Sequence, residues 1–284
     1  MKRPFWTFIG SSLYHVTDEE SRLRLSADLW TMYEGRQAMA RGELREGKSA
    51  GKRFFEFVFM GKSYRLYFRN EQRRDTKFLI KTYFLDSPYG ELDVKGKTVL
   101  DVGANIGDSA IYFAARGAQR VISLEPYPTT FEVAKLNIEE NGFQEQVLLL
   151  NEGAGRSGVM KLDPELLSTR TSLAKNTSEG VPIRFSSLGE LVERFSLRNA
   201  ILKVNCEGCE HELLLGSDEQ TISCFEQVAI EYHGNPKAIA KKVKRAGFHV
   251  RVVLRGFGAS PSVPNSKLEN GFIYARRSVS KNSR

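Results

Sequence analysis

The chain has 284 residues, 41% of them hydrophobic and 27% charged, with a formal net charge of +8. This is a globular composition, and it excludes a disordered or collagen-like chain. No window approaches 18 uninterrupted apolar residues, so no helical membrane span is expected. Three cysteines in a chain of this size point away from a disulfide framework and toward a reducing, cytoplasmic setting.

The N-terminal MKRPFWTFIG lacks a long apolar core and a small-residue cleavage site, and reads as mature sequence. From about Asp18 to Lys48, Leu23, Leu25, Leu29, Trp30, Met32, Tyr33 and Met39 recur among charges, which predicts helix. Thr17 and Glu20 fit a capping box at its start. In RFFEFVFMGKSYRLYFRN, two aromatic-rich runs flank Gly61-Lys62 and predict a hairpin. Its rings read as a packed sheet face rather than a platform for stacking bases. Glu71 to Phe84 predicts a second helix, and Ser87-Pro88-Tyr89-Gly90 breaks the chain. Arg36 to Lys81 carries thirteen Lys/Arg against five Asp/Glu, an excess equal to that of the whole chain. Such a segment is a solvated face or an attractor of anionic partners. Residues 1–92 are therefore read as an accessory region, 93–278 as the main domain and 279–284 as a basic tail.

From Lys97 the pattern alternates. TVLDV, RVISLE and QVLLLN read as strands, with helices over Asp108 to Arg116 and Thr129 to Asn141 between them. Glu152 to Ile183, rich in Gly, Ser and Thr, reads as irregular. Helix is predicted over Ser187 to Phe195, strand for AILKVN, helix over Cys209 to Leu215, strand for QVAIEY and helix over Pro236 to Ala246. FHVRVVLR and NGFIYAR follow as two strands without a helix between them. The expected fold class is α/β: a Rossmann-like, doubly wound, mostly parallel seven-stranded sheet with a terminal antiparallel hairpin, plus an N-terminal α+β extension.

The segment TVLDVGANIGDSAIYFAARGAQRVISLEP, Thr98 to Pro126, carries the strongest chemical signal. A buried strand ends at Asp101, Gly103 and Gly107 flank a tight turn, a helix starts near Asp108, and the next strand ends at Glu125. In a βαβ unit both strand ends open onto one crevice, and an acid at the second can accept both ribose hydroxyls. A dinucleotide site would have G-x-G-x-x-G and an open helix N-terminus for a pyrophosphate. Here Asn105 stands in the middle and Asp108 at the helix start would repel phosphate. S-adenosylmethionine has no phosphate; its α-amino group, sulfonium and ribose suit Asp101 and Glu125. A ligand-free turn of the same shape is the alternative.

DVGANIGD followed by VISLEP resembles motif I and the downstream acid of class I methyltransferases. With Asn in place of the usual middle Gly it is similar to the FkbM family, and ILKVNCEGCEHELL resembles that family's second signature, K-x-D-x-E-G-x-E. The resemblance covers about residues 97 to 275 and implies S-adenosyl-L-methionine as cofactor. It implies donor contacts from Asp101, Gly103, Ala104, Asn105, Gly107 and Asp108 on the methionine side, and from Glu125 and Pro126 at the ribose. Asn151 and Glu152 would lie near the adenine, and Asn205 near the donor. Asn205 is a departure, since the family has Asp there.

Methyl transfer to a hydroxyl needs alignment and a base. Glu207, Glu210, Glu231 and His233 are the candidates, at the ends of the fourth and fifth parallel strands; His233 has a usable pKa. Cys206-x-x-Cys209 lacks a second pair for zinc and lies outside a thioredoxin-like position, so both cysteines read as structural or site-lining and no metal is expected. The expected function is O-methylation of a small molecule, sugar or glycan hydroxyl, oxygen being what the FkbM resemblance implies. An RNA methyltransferase using the basic Arg36 to Lys81 region is the first alternative, although NCEG stands where base-amine enzymes carry N/D-P-P-Y/F. A non-catalytic adenosylmethionine-binding protein, motivated by Asn205, is the second. Oligomeric state is not legible.

Overall fold

A computed structural model describes residues 40–69, 80, 87–164, 179–259 and 267–277. The first described elements are β1 (Leu44–Ser49), β2 (Lys52–Phe59) and β3 (Lys62–Phe68), an antiparallel three-stranded sheet in the order β1-β2-β3. Phe59 faces Lys62 across a two-residue turn, and both turn residues, Met60 and Gly61, have positive φ (50° and 77°), as a type I′ hairpin requires.

The helix expected up to Lys48 is corrected here: Leu44–Ser49 is strand. This stretch, LREGKS, has a single apolar residue and cannot offer a helical stripe. Gly47 lies directly under the Phe54 ring, which a Cβ would meet at 2.5 Å, so cross-strand packing decides the conformation. The rest of that helix, residues 18–39, and all but Ile80 of the helix expected over Glu71 to Phe84 lie outside the described residues.

The main sheet is built from β4 (Thr98–Val102), β5 (Arg120–Leu124), β6 (Val147–Leu150), β10 (Ala200–Val204), β11 (Phe225–His233), β12 (Phe248–Ala259) and β13 (Lys267–Arg277). Its order is β12-β13-β11-β10-β4-β5-β6. The strands from β11 to β6 run parallel, and β13 is antiparallel to both β11 and β12, which is the expected doubly wound sheet with its terminal hairpin. The crossing helices are α1 (Asp108–Ala115), α2 (Pro128–Glu140), α3 (Leu188–Arg194), α4 (Cys209–Leu215), α5 (Glu219–Ile222) and α6 (Lys237–Arg245). Strand order reverses between β4 and β10, the position at which doubly wound sheets bind ligands at the carboxyl edge.

Strand alternation divides the core. Val99, Val121, Ile201 and Ala229 face one cluster, whereas Leu100, Ile122, Leu202 and Val228 face the other. The first cluster also contains Phe55, Phe57, Tyr64 and Leu66. The N-terminal sheet therefore shares a core with α1 and the main sheet. Asn137 of α2 and Asn141, the residue that caps its end, seal the edge: Asn137 exchanges both backbone bonds with Tyr67, and Asn141 does the same with Arg65.

The stretch expected to be irregular is partly ordered. β7 (Glu152–Ala154), β8 (Gly158–Leu162) and β9 (Val181–Ser186) form a small sheet in the order β7-β9-β8. Its strands are short and two carry a glycine, so no period of two could be read; Phe185 covers Gly153 where a side chain would otherwise stand.

Candidate active site

The chain leaves β4 through a sharply constrained turn. Gly103 has φ 81°, and a Cβ there would stand 1.8 Å from the backbone oxygen of Asn205. Only glycine permits this approach of the loops after β4 and β10. The N–H groups of Gly103 and Ala104 both donate to Leu124 O, at 3.0 and 2.9 Å. Asn105 occupies the left-handed region at φ 48°, which asparagine tolerates better than most residues. Gly107, φ 85°, caps α1 and lies against Ala134 of α2.

Glu125, at the end of β5, is buried and accepts the N–H groups of Asn105 (2.9 Å) and Tyr127 (3.1 Å). Burial nevertheless pushes its carboxyl up to about 8. Asp108, buried at the start of α1, is raised to about 7, also by burial, with Lys203 opposing. Its Oδ1 has no hydrogen-bond partner among the described residues. Asn151 donates to the carbonyls of Glu125 (2.9 Å) and Pro126 (3.1 Å), bracing the loop after β5.

Two of the expected donor contacts have side chains engaged elsewhere. The Asp101 carboxylate is fully buried beneath the turn. It pairs with Lys203 Nζ at 2.8 Å and accepts from Ser109 (2.8 Å) and Ser123 (3.0 Å). Glu152 is held by Arg194 (2.8 Å), Arg184 (3.5 Å) and the hydroxyl of Ser186. Lys203, which the sequence reading did not single out, lies under the turn and donates to Gly103 O at 2.6 Å. A lysine inside the apolar run AILKV was the signal that could have found it.

All four candidate catalytic residues converge at the ends of β10 and β11. Glu207 (φ 53°) and Gly208 (φ 117°) break the strand alternation and carry Glu207 out toward His233. His233 Nε2 stands 3.4 Å from Glu207 Oε2, and Nδ1 stands 3.2 Å from Glu210 Oε1. The buried Glu210 also accepts the N–H groups of His233 and Gly208, each at 2.8 Å. Burial alone would lower the His233 pKa, but the Glu210 hydrogen bond and the Glu207 charge win and raise it to about 9. Those same bonds hold Glu210 below the usual carboxylate range against its burial. Beside them Asn205 Nδ2 donates to Glu231 Oε2 at 2.7 Å. Cys206 and Cys209, read as structural or site-lining, are joined in a disulfide that closes the loop over Glu207-Gly208; Cys224 is free.

The Methyltransferase FkbM domain model matches residues 101–260, more than half of the chain. The chain belongs to the FkbM methyltransferase family. It is 39% identical over 75 residues to the ribosomal protein L11 methyltransferase of Deinococcus radiodurans, covering 24% of this chain and 28% of that protein. It is 23% identical over 234 residues to the AMB antimetabolite synthetase AmbE of Pseudomonas aeruginosa, covering 63% of this chain and 11% of that protein. The chain thus spans 28% and 11% of the length of these two curated relatives. Among solved structures it resembles a SAM-dependent methyltransferase from Agrobacterium tumefaciens at 11% identity, with a TM-score of 0.42, covering 81% of this chain and 71% of that one. No helix among the described residues is long and apolar enough to cross a membrane.

Proposed function

We propose that this enzyme transfers the methyl group of S-adenosylmethionine to a hydroxyl oxygen of a small molecule or sugar. The observation that carries this reading is the Glu207–His233–Glu210 cluster standing beside Asn205, whose backbone touches the Gly103 turn. The residues fit the donor. The turn from Gly103 through Gly107, with Ala104 and Asn105, offers a backbone cradle. Glu125 and Pro126, braced by Asn151, flank the ribose position. The orphaned Asp108 Oδ1 suits a cationic donor group. When bound, the donor supplies an activated methyl carbon on a cationic sulfur, released as a neutral thioether.

The chain's own groups supply alignment and proton removal. His233 is protonated at neutral pH, so it is not the base. Burial raises the Glu207 carboxyl toward the pKa of a working base while the His233 charge opposes that rise, and the same charge favours developing negative charge on the acceptor oxygen. Glu207, the more exposed of its two carboxylate partners, takes the hydroxyl proton. Glu210 orients His233. Asp101 acts below the turn through Lys203, and Glu152 through the small sheet.

The test is transfer of labelled methyl from S-adenosylmethionine to panels of sugars, hydroxylated small molecules and tRNA. Transfer to a hydroxylated small molecule or sugar, lost by about 10²- to 10⁴-fold in Glu207→Gln, supports the reading. Transfer to tRNA alone would favour RNA as acceptor.

A further inference from the structure

All five residues of β10 are buried between β4 and β11, so an ammonium in mid-strand has no route to water. Lys203 is the one lysine or arginine fully buried among the described residues. Removing such a charge from water is costly unless partners replace the solvent. Lys203 Nζ has four: Gly103 O at 2.6 Å, Asp101 Oδ1 at 2.8 Å, and Val102 O and Ser109 Oγ at 3.3 Å. Gly103 is thereby held at both ends, its N–H by Leu124 of β5 and its carbonyl by Lys203 of β10. The titratable groups facing this ammonium are Asp101 from β4, Asp108 from the start of α1, Glu125 after β5 and Tyr89, whose ring centroid stands 5.9 Å from Nζ.

We propose that Lys203 is the positioning residue of the methyl-donor site, fixing the Gly103 turn in its donor-binding shape and supplying the buried positive charge that pairs with Asp101 below the turn. It touches no reacting atom and acts through the turn. The inference rests on the reading that the donor occupies this turn. Lys203 also opposes the effect of burial on both Asp108 and Glu125, so its removal should move the pH range over which the donor binds.

The experiment is calorimetric titration with S-adenosylhomocysteine from pH 6 to 9, with thermal melting as the check on folding. Lys203→Met is expected to bind at least tenfold more weakly, with its pH midpoint shifted upward. Lys203→Arg keeps the charge but cannot place one proton on Gly103 O in the same way; it should bind more weakly at an unchanged midpoint. Should Lys203→Met fail to fold, Asp101→Asn/Lys203→Met, which removes both charges together, decides: a cooperative melt with at least tenfold weaker binding supports the role. Wild-type affinity in that double variant overturns it. So does a loss in Lys203→Met of the same factor at every pH, which a merely structural defect would give. A wild-type protein that binds no S-adenosylhomocysteine fails the donor-site reading itself, and the role of Lys203 falls with it.

Discussion

At residue 205 one amide determines whether two strand ends are compatible. Asn205 Nδ2 donates to Glu231 Oε2 at 2.7 Å; an aspartate there would set two carboxylates against each other. Asn205 is thus matched to its neighbour. Asn205→Asp should lower stability by about 1–3 kcal/mol in urea unfolding, and Asn205→Asp/Glu231→Gln should recover most of the loss. Equal stability of Asn205→Asp and wild type would contradict this pairing. Glu125 gives a pH prediction. Its folded pKa is raised to about 8 from 4.5, so its contribution to stability is full below about 4.5 and is lost as pH rises through about 8. Asp108 acts in the same direction between 3.8 and about 7, and His233 between 6.5 and about 9. The ligand-free protein should melt at a lower temperature at pH 9 than at pH 6. If the proposed ribose site is right, S-adenosylhomocysteine should bind more tightly over the same rise, as Glu125 becomes an acceptor carboxylate. Glu125→Gln should flatten both trends.

At the scale of elements, the clearest signals were the buried apolar runs. TVLDV, RVISL and AILKV are five-residue runs whose residues are almost all buried, and their alternation with amphipathic helices sufficed for the sheet. Glycine was equally informative where geometry demands it. Gly103→Ala would hold an L-residue at φ 81° with its Cβ 1.8 Å from Asn205 O. The backbone strain alone costs about 1–3 kcal/mol, and relief of the clash must part the two loops, so the variant should lose S-adenosylhomocysteine binding in a titration while its far-UV spectrum remains α/β. What stayed hidden depends on partners distant in sequence. β1 is strand because β2 pairs with it, and β7 to β9 are too short for a period. The engagement of Glu152 with Arg194 and Arg184 joins residues more than thirty positions apart. The sequence placed Glu207, Glu210, Glu231 and His233 at neighbouring strand ends but could not show that Glu210 and Glu207 flank His233 and raise its pKa, nor that Lys203 lies beneath the turn.

For the whole molecule, the N-terminal sheet is part of the catalytic fold's own core. The boundary drawn at residue 92 marks a change in sequence pattern, whereas Phe55, Phe57 and Leu66 lie in one cluster with Ile106 and Ile111. Asn137 makes the link specific: it bonds Tyr67 of β3 and also donates to Ile106 O, between Gly103 and Gly107 in the turn after β4, at 2.8 Å. Asn137→Ala leaves these buried groups unpaired, so it should lower stability by about 1–3 kcal/mol and weaken S-adenosylhomocysteine binding, although no side chain of the N-terminal sheet is assigned to the donor. The account as a whole is tested most directly by calorimetric titration of the purified protein with S-adenosylhomocysteine, with NAD as the control. It predicts micromolar binding of the first, weakened in Glu125→Gln, and no binding of the second. Binding of NAD, or S-adenosylhomocysteine binding that Glu125→Gln and Gly103→Ala both leave unchanged, would contradict it.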